Sequence, residues 1–283
     1  YPPASRERAK TSSRFLRVIQ DVQPAVVIGS SKSLETAKGL IETELSFLDL
    51  GFLTAQAGDD WVEPELSQSD IALIQYTSGS TSAPKGVTLS HGNFLTNLQA
   101  IAIATDVSAS SVGVSWLPPY HDMGLTCILL PVYVGFMVVH MSPNQFLFRP
   151  RCWLDAITRY RGTICTAPNF AYEICATRIP EEQRTQFNLG SWQVALNGAE
   201  PIRHETLKRF SKAFAECGFK SSTMQPCYGL AEATLWVSGK PVQTEPLVGR
   251  FSKQDLERGL VVPLGQAETD VLPGALPERR LVS

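Results

Sequence analysis

Hydrophobic positions along the chain follow two alternating spacings. Apolar residues three or four positions apart, as in Phe94, Leu98 and Ile101, predict amphipathic helices, while short continuous apolar runs such as residues 25–28 predict buried strands. The two patterns follow each other from the first helix to about residue 239. We therefore expect an α/β protein built from layered, doubly wound subdomains, with helices covering both faces of mainly parallel sheets.

The pattern places each element approximately. The predicted strands are residues 25–28, 47–50, 71–75, 113–117, 136–139, 163–167, 192–196 and 222–227. The predicted helices are centred on residues 15–19, 34–45, 94–102, 123–130, 150–160 and 203–216. Residues 240–283 are rich in Pro, Gly and charge, which indicates an irregular segment or the start of a small β-rich unit.

Composition narrows the class of protein. With 283 residues, of which 43% are hydrophobic and 18% charged, the chain can bury a full core. The formal net charge is -2 and no stripe of Lys or Arg is present, so we expect no nucleic-acid partner. The six cysteines contain no C-x-x-C pair, which favours reduced thiols in a cytoplasmic protein over disulfides or a zinc site.

Residues 123–148 carry no formal charge, and a hydropathy window could take them for a membrane span. Pro131 and Gly135 divide the stretch, however, so a buried helix followed by a buried strand is the better interpretation, and we expect no membrane span. The chain begins with Tyr1 rather than Met and shows no apolar signal core, which suggests an excised piece of a longer protein.

Residues 76–87 have the composition of a phosphate-binding loop. Gly79 allows backbone N–H groups to converge on an anion, and Lys85 supplies one positive charge. The hydroxyl donors are Thr77, Ser78, Ser80, Thr81 and Ser82. A Walker loop is the rival interpretation, but Pro84 and Gly86 occupy the positions of its second glycine and its magnesium-binding hydroxyl. A plain surface turn rich in Ser and Thr is the other alternative.

Three further polar motifs follow predicted strands. They read Tyr-His-Asp-Met-Gly at 120–124, Asn-Gly-Ala-Glu-Pro at 197–201 and Tyr-Gly-Leu-Ala-Glu-Ala-Thr at 228–234. Ligands of doubly wound sheets bind beyond the carboxyl ends of the strands. We therefore expect the loop and the three motifs to face one cleft.

Together, these four motifs resemble the signature blocks of the adenylate-forming superfamily, and within it those of the fatty acyl-AMP ligases. The resemblance runs over the whole chain. The broader superfamily usually has Thr where this chain has Ala231, and Gly where it has Ser82. Both departures resemble the fatty acyl-AMP ligase branch, and they leave one phosphate contact open.

The resemblance implies a reaction in which a fatty carboxylate attacks the α-phosphate of ATP, forming acyl-AMP and pyrophosphate, before the acyl group passes to an acyl carrier protein. Lys85 and the loop residues 77–81 would hold the β- and γ-phosphates with Mg2+, and Glu232 would bind that ion. Tyr228 would lie against the adenine, opposite Gly198, Ala199 and Glu200. Asn197, Gly229 and Ala231 complete the nucleotide site that the resemblance implies.

Other interpretations remain open for several of these residues. Glu232 could be a surface carboxylate and Tyr228 a core aromatic residue. Glu200 could simply interact favourably with the dipole at the start of the helix at 203–216. Asp122 fits a helix cap better than a catalytic acid. His121 is either structural or, by resemblance, at the entry to the carboxylate site.

For the acyl chain we consider apolar residues that flank the motifs. Phe170, Tyr172 and Met224 could line an apolar tunnel for the fatty acid, together with His121 at its entry. Core packing is the alternative fate of all three apolar side chains.

The resemblance also suggests a division of the chain into three parts. Residues 1–106 would form a first α/β subdomain with the phosphate loop, and residues 107–240 a second with the adenine and acyl sites. Residues 241–283 would hold a family-specific insertion, around 254–280, or the start of a β-rich subdomain, with a surface loop as the alternative.

A lid domain with a catalytic lysine, which follows in the family, would lie beyond this chain, so we expect the chain itself to be a poorly active core fragment. Three other functions stay open from the sequence. They are a long-chain acyl-CoA ligase of the same superfamily, a nucleoside-triphosphate kinase or ATPase, and a non-catalytic acyl- or nucleotide-binding module.

Overall fold

The computed structural model describes residues 5–41, 44–53, 62–77 and 84–264, and the side chains of 5–11, 52 and 53 are left aside. The chain folds as two compact units, Tyr1–Leu95 and Thr96–Ser283. The three-part division expected from the sequence stays a prediction.

The first unit contains two small strand pairs. Its elements are α1 (Ser5–Val22), β1 (Val26–Gly29), α2 (Ser31–Lys38), β2 (Ser46–Asp49), α3 (Leu50–Leu53), β3 (Ile71–Thr77) and β4 (Lys85–Ser90). Strands β1 and β2 pair in parallel, whereas β3 and β4 are antiparallel. Helix α4 (His91–Thr105) begins in this unit and ends in the next.

The second unit is built on a six-stranded sheet. Its strands are β5 (Val112–Ser115), β6 (Met137–His140), β7 (Ile164–Pro168), β8 (Val194–Gly198), β9 (Met224–Gly229) and β10 (Trp236–Gly239), in the order β10-β9-β8-β7-β5-β6. All pairs are parallel except β9 with β10. The helices are α5 (Asp122–Val134), α6 (Pro143–Phe148), α7 (Arg151–Tyr160), α8 (Asn169–Arg178), α9 (Glu181–Arg184), α10 (His204–Phe214) and α11 (Lys253–Leu256). This is the predicted doubly wound α/β architecture.

Alternation along the strands divides the core into two layers. Val114 and Cys165 face one layer, where α7, α8 and α10 contribute a dense group of aromatic rings. In that layer Trp153 lies 5.3 Å from Trp192 and 5.5 Å from Tyr172, measured between ring centroids. Residues of the opposite parity, such as Ile164, face a smaller apolar cluster.

The sequence pattern misses some boundaries for identifiable reasons. Helix α5 continues through Pro131 to Val134, although proline was expected to end it, and it stops where Gly135 adopts φ 88°. Helix α2 is shorter than predicted, because it ends at Lys38 before Gly39. Helix α8 was not predicted, since its residues show no clear helical periodicity.

Residues 241–264 are mostly irregular. They contain the short helix α11 and an isolated antiparallel bridge between Phe251 and Pro263. The remainder of the predicted insertion, residues 265–283, lies outside the described residues. Across the described ranges, no helix combines the length and the apolar character required to cross a bilayer.

Substituting Tyr172→Phe tests whether Tyr172 has a core role. The Tyr172 hydroxyl donates to the Leu196 carbonyl oxygen at 2.7 Å inside the aromatic layer. Its loss should lower the free energy of unfolding by about 1 kcal/mol, because a buried acceptor loses a donor. Urea denaturation measures this effect, with Tyr160→Phe on the 40% exposed Tyr160 as the matched control. Equal stability of the two variants would contradict the core assignment.

Candidate functional site

Three of the four motifs meet around one cavity in the second unit. The cavity has a volume of about 250 Å³ and lies on the Ile164 face of the sheet, beneath α5. Motif residues that line it are His121, Asp122, Met123, Gly198, Ala199, Tyr228 and Gly229. They all follow or end β5, β8 and β9, because the carboxyl ends of parallel strands meet at one edge of a sheet.

The first motif forms the start of α5. His121 is the N-cap residue, and its Nδ1 lies 2.5 Å from Asp122 Oδ1. Asp122 Oδ1 also accepts from the Met123 N–H at 2.7 Å. Asp122, expected as the helix cap, is instead the first residue of the helix, and its carboxylate binds the Met123 N–H and the His121 ring.

The two side chains shift each other's pKa. The hydrogen bond to Asp122 raises the pKa of His121 above 6.5, although burial acts in the opposite direction. Burial would raise the pKa of Asp122, but the hydrogen bond and charge of His121, with the Met123 N–H, together hold it below 3.8. The side chain of His121 is half exposed, so it stands at the solvent side of the cavity.

Glycine is required in two motifs by close backbone approach. A Cβ added at Gly124 would lie 1.9 Å from the Pro118 carbonyl oxygen, and one at Gly229 would lie 2.0 Å from the Leu235 carbonyl oxygen. Either contact would force the backbone apart. The glycines therefore keep α5 close to the end of β5 and keep the third motif folded back on β10.

The second motif contains a strained residue. Ala199 has φ 66°, a left-handed conformation that is uncommon for a residue with a Cβ. The next residue, Glu200, accepts the Phe170 N–H at 2.6 Å through its carboxylate. Phe170 is in the first turn of α8, so Glu200 satisfies the start of α8 rather than of α10.

Asn197 is fully buried behind this turn. Its Nδ2 donates to Asn169 Oδ1 at 3.4 Å, and Asn169 Oδ1 also accepts the Arg203 N–H at 3.2 Å. Asn197 Oδ1 has no hydrogen-bond partner among the described residues. Asn197 thus ties the motif to α8 and does not line the cavity.

The third motif follows β9. Tyr228 lines the cavity and is 60% exposed, so it is not a core aromatic residue. Ala231 is buried, whereas the Glu232 side chain is exposed and makes no hydrogen bond or ion pair with any residue that the structure describes. Thr234 ends the motif at φ 71°, a conformation unfavourable for a β-branched side chain.

A free carboxylate of this kind suits a magnesium ion that phosphates also bind. Proteins usually hold Mg2+ through one or two carboxylates together with substrate phosphates. Within the described ranges, no group of three or more His, Cys, Asp or Glu side chains could hold a metal ion by itself. Glu232 therefore fits a shared site rather than a site built from protein ligands alone.

The predicted phosphate-binding loop lies between β3 and β4 in the sequence. Thr77 and Lys85 are opposite each other in the last pair of this antiparallel ladder, and Lys85 is exposed. The hairpin differs from the expected passage of a strand into a helix. Ser78, Gly79, Ser80, Thr81 and Ser82 lie outside the described residues, so their roles stay predictions.

The cavity has an apolar wall that the sequence analysis did not identify. Its apolar side chains include Ile101, Met123, Leu130, Pro131, Phe136, Val138, Ile164, Leu196, Leu235 and Trp236. They lie in α4, α5, β6, β7, β8 and β10 and in the loops between elements, so no periodicity within one segment of the sequence identifies them together. The uncharged stretch at 123–148 was the one available signal, because α5 and the start of β6 supply several of them.

The three residues considered for the acyl chain lie elsewhere. Tyr172 and Met224 are fully buried in the aromatic layer and do not line the cavity. Phe170 is 36% exposed, and its ring centroid lies 6.0 Å from that of Trp116. Core packing, the alternative raised from the sequence, describes Tyr172 and Met224.

Three cysteines also contribute to the cavity wall: Cys127 and Cys227 lie beside the apolar residues, and Cys165 belongs to β7, with its side chain packed in the aromatic layer. Burial raises the pKa of Cys127 to about 11 and that of Cys227 to about 12, and it raises that of Cys165 well above 9.0. Hydrogen bonds oppose this effect without cancelling it. Their partners are the Ser115 side chain for Cys127, the Asn197 backbone for Cys227 and the Val114 backbone for Cys165. All three thiols are therefore protonated at neutral pH.

Comparison with known proteins agrees with this geometry. The sequence profile described as AMP-binding enzyme matches residues 8–261. The chain belongs to this family. The resemblance to adenylate-forming enzymes seen in the motifs is thereby confirmed.

Relatives and a solved structure point to one branch of the family. The medium-chain-fatty-acid–[acyl-carrier-protein] ligase TtuA of Teredinibacter turnerae is 41% identical over 75% of this chain and 33% of its own length. The corresponding ligase JamA of Moorena producens is 36% identical over 95% of this chain and 47% of its own. The fatty acyl-adenylate ligase of L. pneumophila, solved with acyl adenylate and pyrophosphate, aligns with a TM-score of 0.82 and 37% identity over 91% of this chain and 45% of its own. The chain thus spans half or less of each of these proteins.

Removing the Asp122 carboxylate should lower the pKa of His121. With Asp122→Asn the hydrogen bond and charge that raise this pKa are weakened, and burial, which lowers it, remains. An NMR titration of the imidazole measures the change, and Asp106→Asn is the control. An unchanged His121 pKa in Asp122→Asn would contradict the pairing.

The pairing of His121 with Asp122 also makes the stability of the fold depend on pH. The raised pKa of His121 contributes stability below pH 6.5 that is lost as pH rises through the raised value. The lowered pKa of Asp122 contributes stability above pH 3.8 that is lost as pH falls through the lowered value. The stability difference between wild type and Asp122→Asn should therefore be largest between these limits.

Glu200→Ala separates a structural from a binding role. If Glu200 caps α8, the variant should lose about 1 kcal/mol of unfolding free energy, because a first-turn N–H loses its acceptor. Glu35→Ala, on an exposed helix position, is the control. Unchanged stability with weakened nucleotide binding would instead support a position against the adenine.

Proposed function

We propose that this chain carries the nucleotide and acyl sites of an ATP-dependent fatty acyl-AMP ligase. The supporting observation is the cavity itself, which is polar where three motifs meet and apolar below. An acyl adenylate has the same division, with a charged nucleotide at one end and a hydrocarbon tail at the other. The apolar part of the cavity suits the hydrocarbon tail, and its polar end suits the junction between the acyl group and the nucleotide.

The proposed reaction joins a fatty carboxylate to AMP. A carboxylate oxygen attacks the α-phosphorus of ATP, the bond from that phosphorus to the bridging oxygen breaks, and pyrophosphate leaves. Both reactants are anions, so their approach requires positive charge and oriented donors. Lys85 and the loop hydroxyls of residues 77–81 would supply these at the β- and γ-phosphates.

The residues at the polar end take distinct roles in this proposal. Tyr228, being exposed and at the cavity, would cover one side of the adenine, while Gly198 and Ala199 leave room for the flat ring on the other. Glu232 would hold Mg2+, whose charge offsets that of the phosphates. Asn197, Gly229 and Ala231 would support this site by fixing the backbone.

His121 would stand at the entry for the carboxylate. A fatty carboxylate is already ionised at pH 7, so it needs no general base. His121 can instead donate a hydrogen bond to it, since Asp122 fixes the ring and favours its protonated form. The apolar wall would then receive the hydrocarbon and keep water from the mixed anhydride.

The second half-reaction would transfer the acyl group to the thiol of an acyl carrier protein or of a carrier domain in a synthase. TtuA and JamA are named as ligases of this kind. We propose that residues 241–283 belong to the family-specific insertion and that a C-terminal lid completes the site. A cytoplasmic location and the absence of a nucleic-acid partner complete the proposal, in line with the charge of the chain.

Ligand-induced stabilisation tests the nucleotide site. Mg-ATP should raise the melting temperature, and a fatty acyl-sulfamoyl adenosine should raise it further, because ligands that bind the folded state stabilise it by RT ln(1 + [L]/Kd). Lys85→Ala should abolish the shift with Mg-ATP, whereas Lys208→Ala, on an exposed face of α10, should keep it.

The same assay separates the alternatives. A non-catalytic acyl-binding module would show no ATP-dependent shift, and a Lys85→Ala variant that keeps the full shift would contradict the phosphate-loop assignment. Acyl transfer to a carrier-protein thiol rather than to free CoA would distinguish the ligase from an acyl-CoA ligase.

A further inference from the structure

Buried side chains line the apolar end of the cavity, which we call its closed end. They come from α4, from the C-terminal half of α5 and from the amino ends of the strands, opposite the motifs. Leu130, Phe136 and Ile164 are 5%, 9% and 7% exposed, and Ile101 is 2% exposed. At the other end Tyr228 is 60% exposed. A chain that enters past Tyr228 therefore ends inside the protein.

The volume of the cavity limits the length of that chain. An apolar protein cavity of about 150 Å³ holds a benzene ring, which corresponds to about 25 Å³ for each of its six carbons. On the same scale the cavity of about 250 Å³ takes about ten carbons. Part of this volume lies at the polar end, which reduces the number of carbons that the apolar part can take.

The length of α5 gives a second, independent bound. The helix runs antiparallel to the strands, and Met123, Cys127 and Pro131 line the cavity one turn apart. The distance from Met123 to Pro131 is about 12 Å, at about 1.5 Å per residue. An extended hydrocarbon with bonds of about 1.5 Å advances by about 1.25 Å per carbon, so about ten carbons span this distance.

The chemistry of the closed end restricts the tail as well. The side chains of Leu130, Pro131, Phe136 and Ile164 carry no hydrogen-bonding atom. A hydroxyl buried among them would lose its water partners without replacement, at a cost that weakens binding. The closed end therefore favours a tail that ends in plain hydrocarbon.

We infer that the acid activated here has an unsubstituted chain of at most about ten carbons, and that the α5 residues Met123, Cys127 and Pro131 act as a ruler for its length. This inference rests on the proposed function and adds its substrate class. Cys127 lies at the middle of the ruler, where its Sγ forms a hydrogen bond with the Ser115 side chain of β5. Leu130 lies at the closed end.

A length series tests the inference. Acyl-sulfamoyl adenosines with saturated chains of six, eight, ten, twelve and sixteen carbons are titrated into the protein by calorimetry. Affinity should rise up to about fourfold per added carbon while the tail enters the cavity, then fall at least tenfold from ten to sixteen carbons. An analogue ending in a hydroxyphenyl group should bind at least tenfold more weakly than the eight-carbon one.

The outcomes separate the two proposals. If the sixteen-carbon analogue binds as tightly as the ten-carbon one, the length limit is wrong and the proposed function stands. If no analogue of any length binds and Mg-ATP gives no thermal shift, the proposed function itself fails.

Two variants locate the ruler. Cys127→Phe fills the middle of the cavity, so the affinity ratio of the ten- to the six-carbon analogue should fall at least tenfold. Leu130→Ala deepens the closed end, so the ratio of the twelve- to the ten-carbon analogue should rise about fivefold. Val132→Phe, at a position of α5 that is 77% exposed, is the control and should change neither ratio. If both affinity ratios in Cys127→Phe and Leu130→Ala equal those of the Val132→Phe control, the assignment of the ruler to α5 is wrong.

Discussion

The parallel pairing of β5, β7, β8 and β9 is the constraint on which the second unit depends. It brings the carboxyl ends of these strands to one edge, so motifs that are far apart in sequence meet there. Because side chains alternate across a sheet, the same pairing also assigns each residue to one of two layers. One layer is filled by aromatic rings, and the other contains the cavity.

The difference between the two layers explains how rigid packing and an open site coexist. The aromatic layer fixes β7, β8 and α8, and the Tyr172 hydroxyl joins it directly to the backbone of β8. Glu200 and Asn197 then attach the turn after β8 to α8. This packing holds Ala199 in its unusual conformation beside the cavity. The strain is local, while the contacts that balance it lie in the dense layer.

Much of this arrangement could be predicted from the sequence. Apolar runs predicted eight of the ten described strands within a few residues and missed β4 and β10. The order of polar motifs indicated the family and the edge where three of the four motifs meet. The cavity wall could not be predicted, since Ile101, Leu130 and Leu196 become neighbours only through tertiary packing. Tyr172 and Met224 were expected at the acyl site because they are near motifs in the sequence, but both pack in the aromatic layer. Proximity in sequence does not determine on which side of the sheet a side chain packs.

The thiols around the cavity have a consequence for the chemistry proposed here. An acyl adenylate is a strong acylating agent, and the thiolate form of cysteine is the side chain best able to capture it. Burial keeps Cys127, Cys165 and Cys227 in the protonated, weakly nucleophilic form. Under the proposed function, the thiols of Cys127 and Cys227 would therefore lie close to the mixed anhydride without capturing its acyl group, which leaves that group for a thiol that arrives from outside.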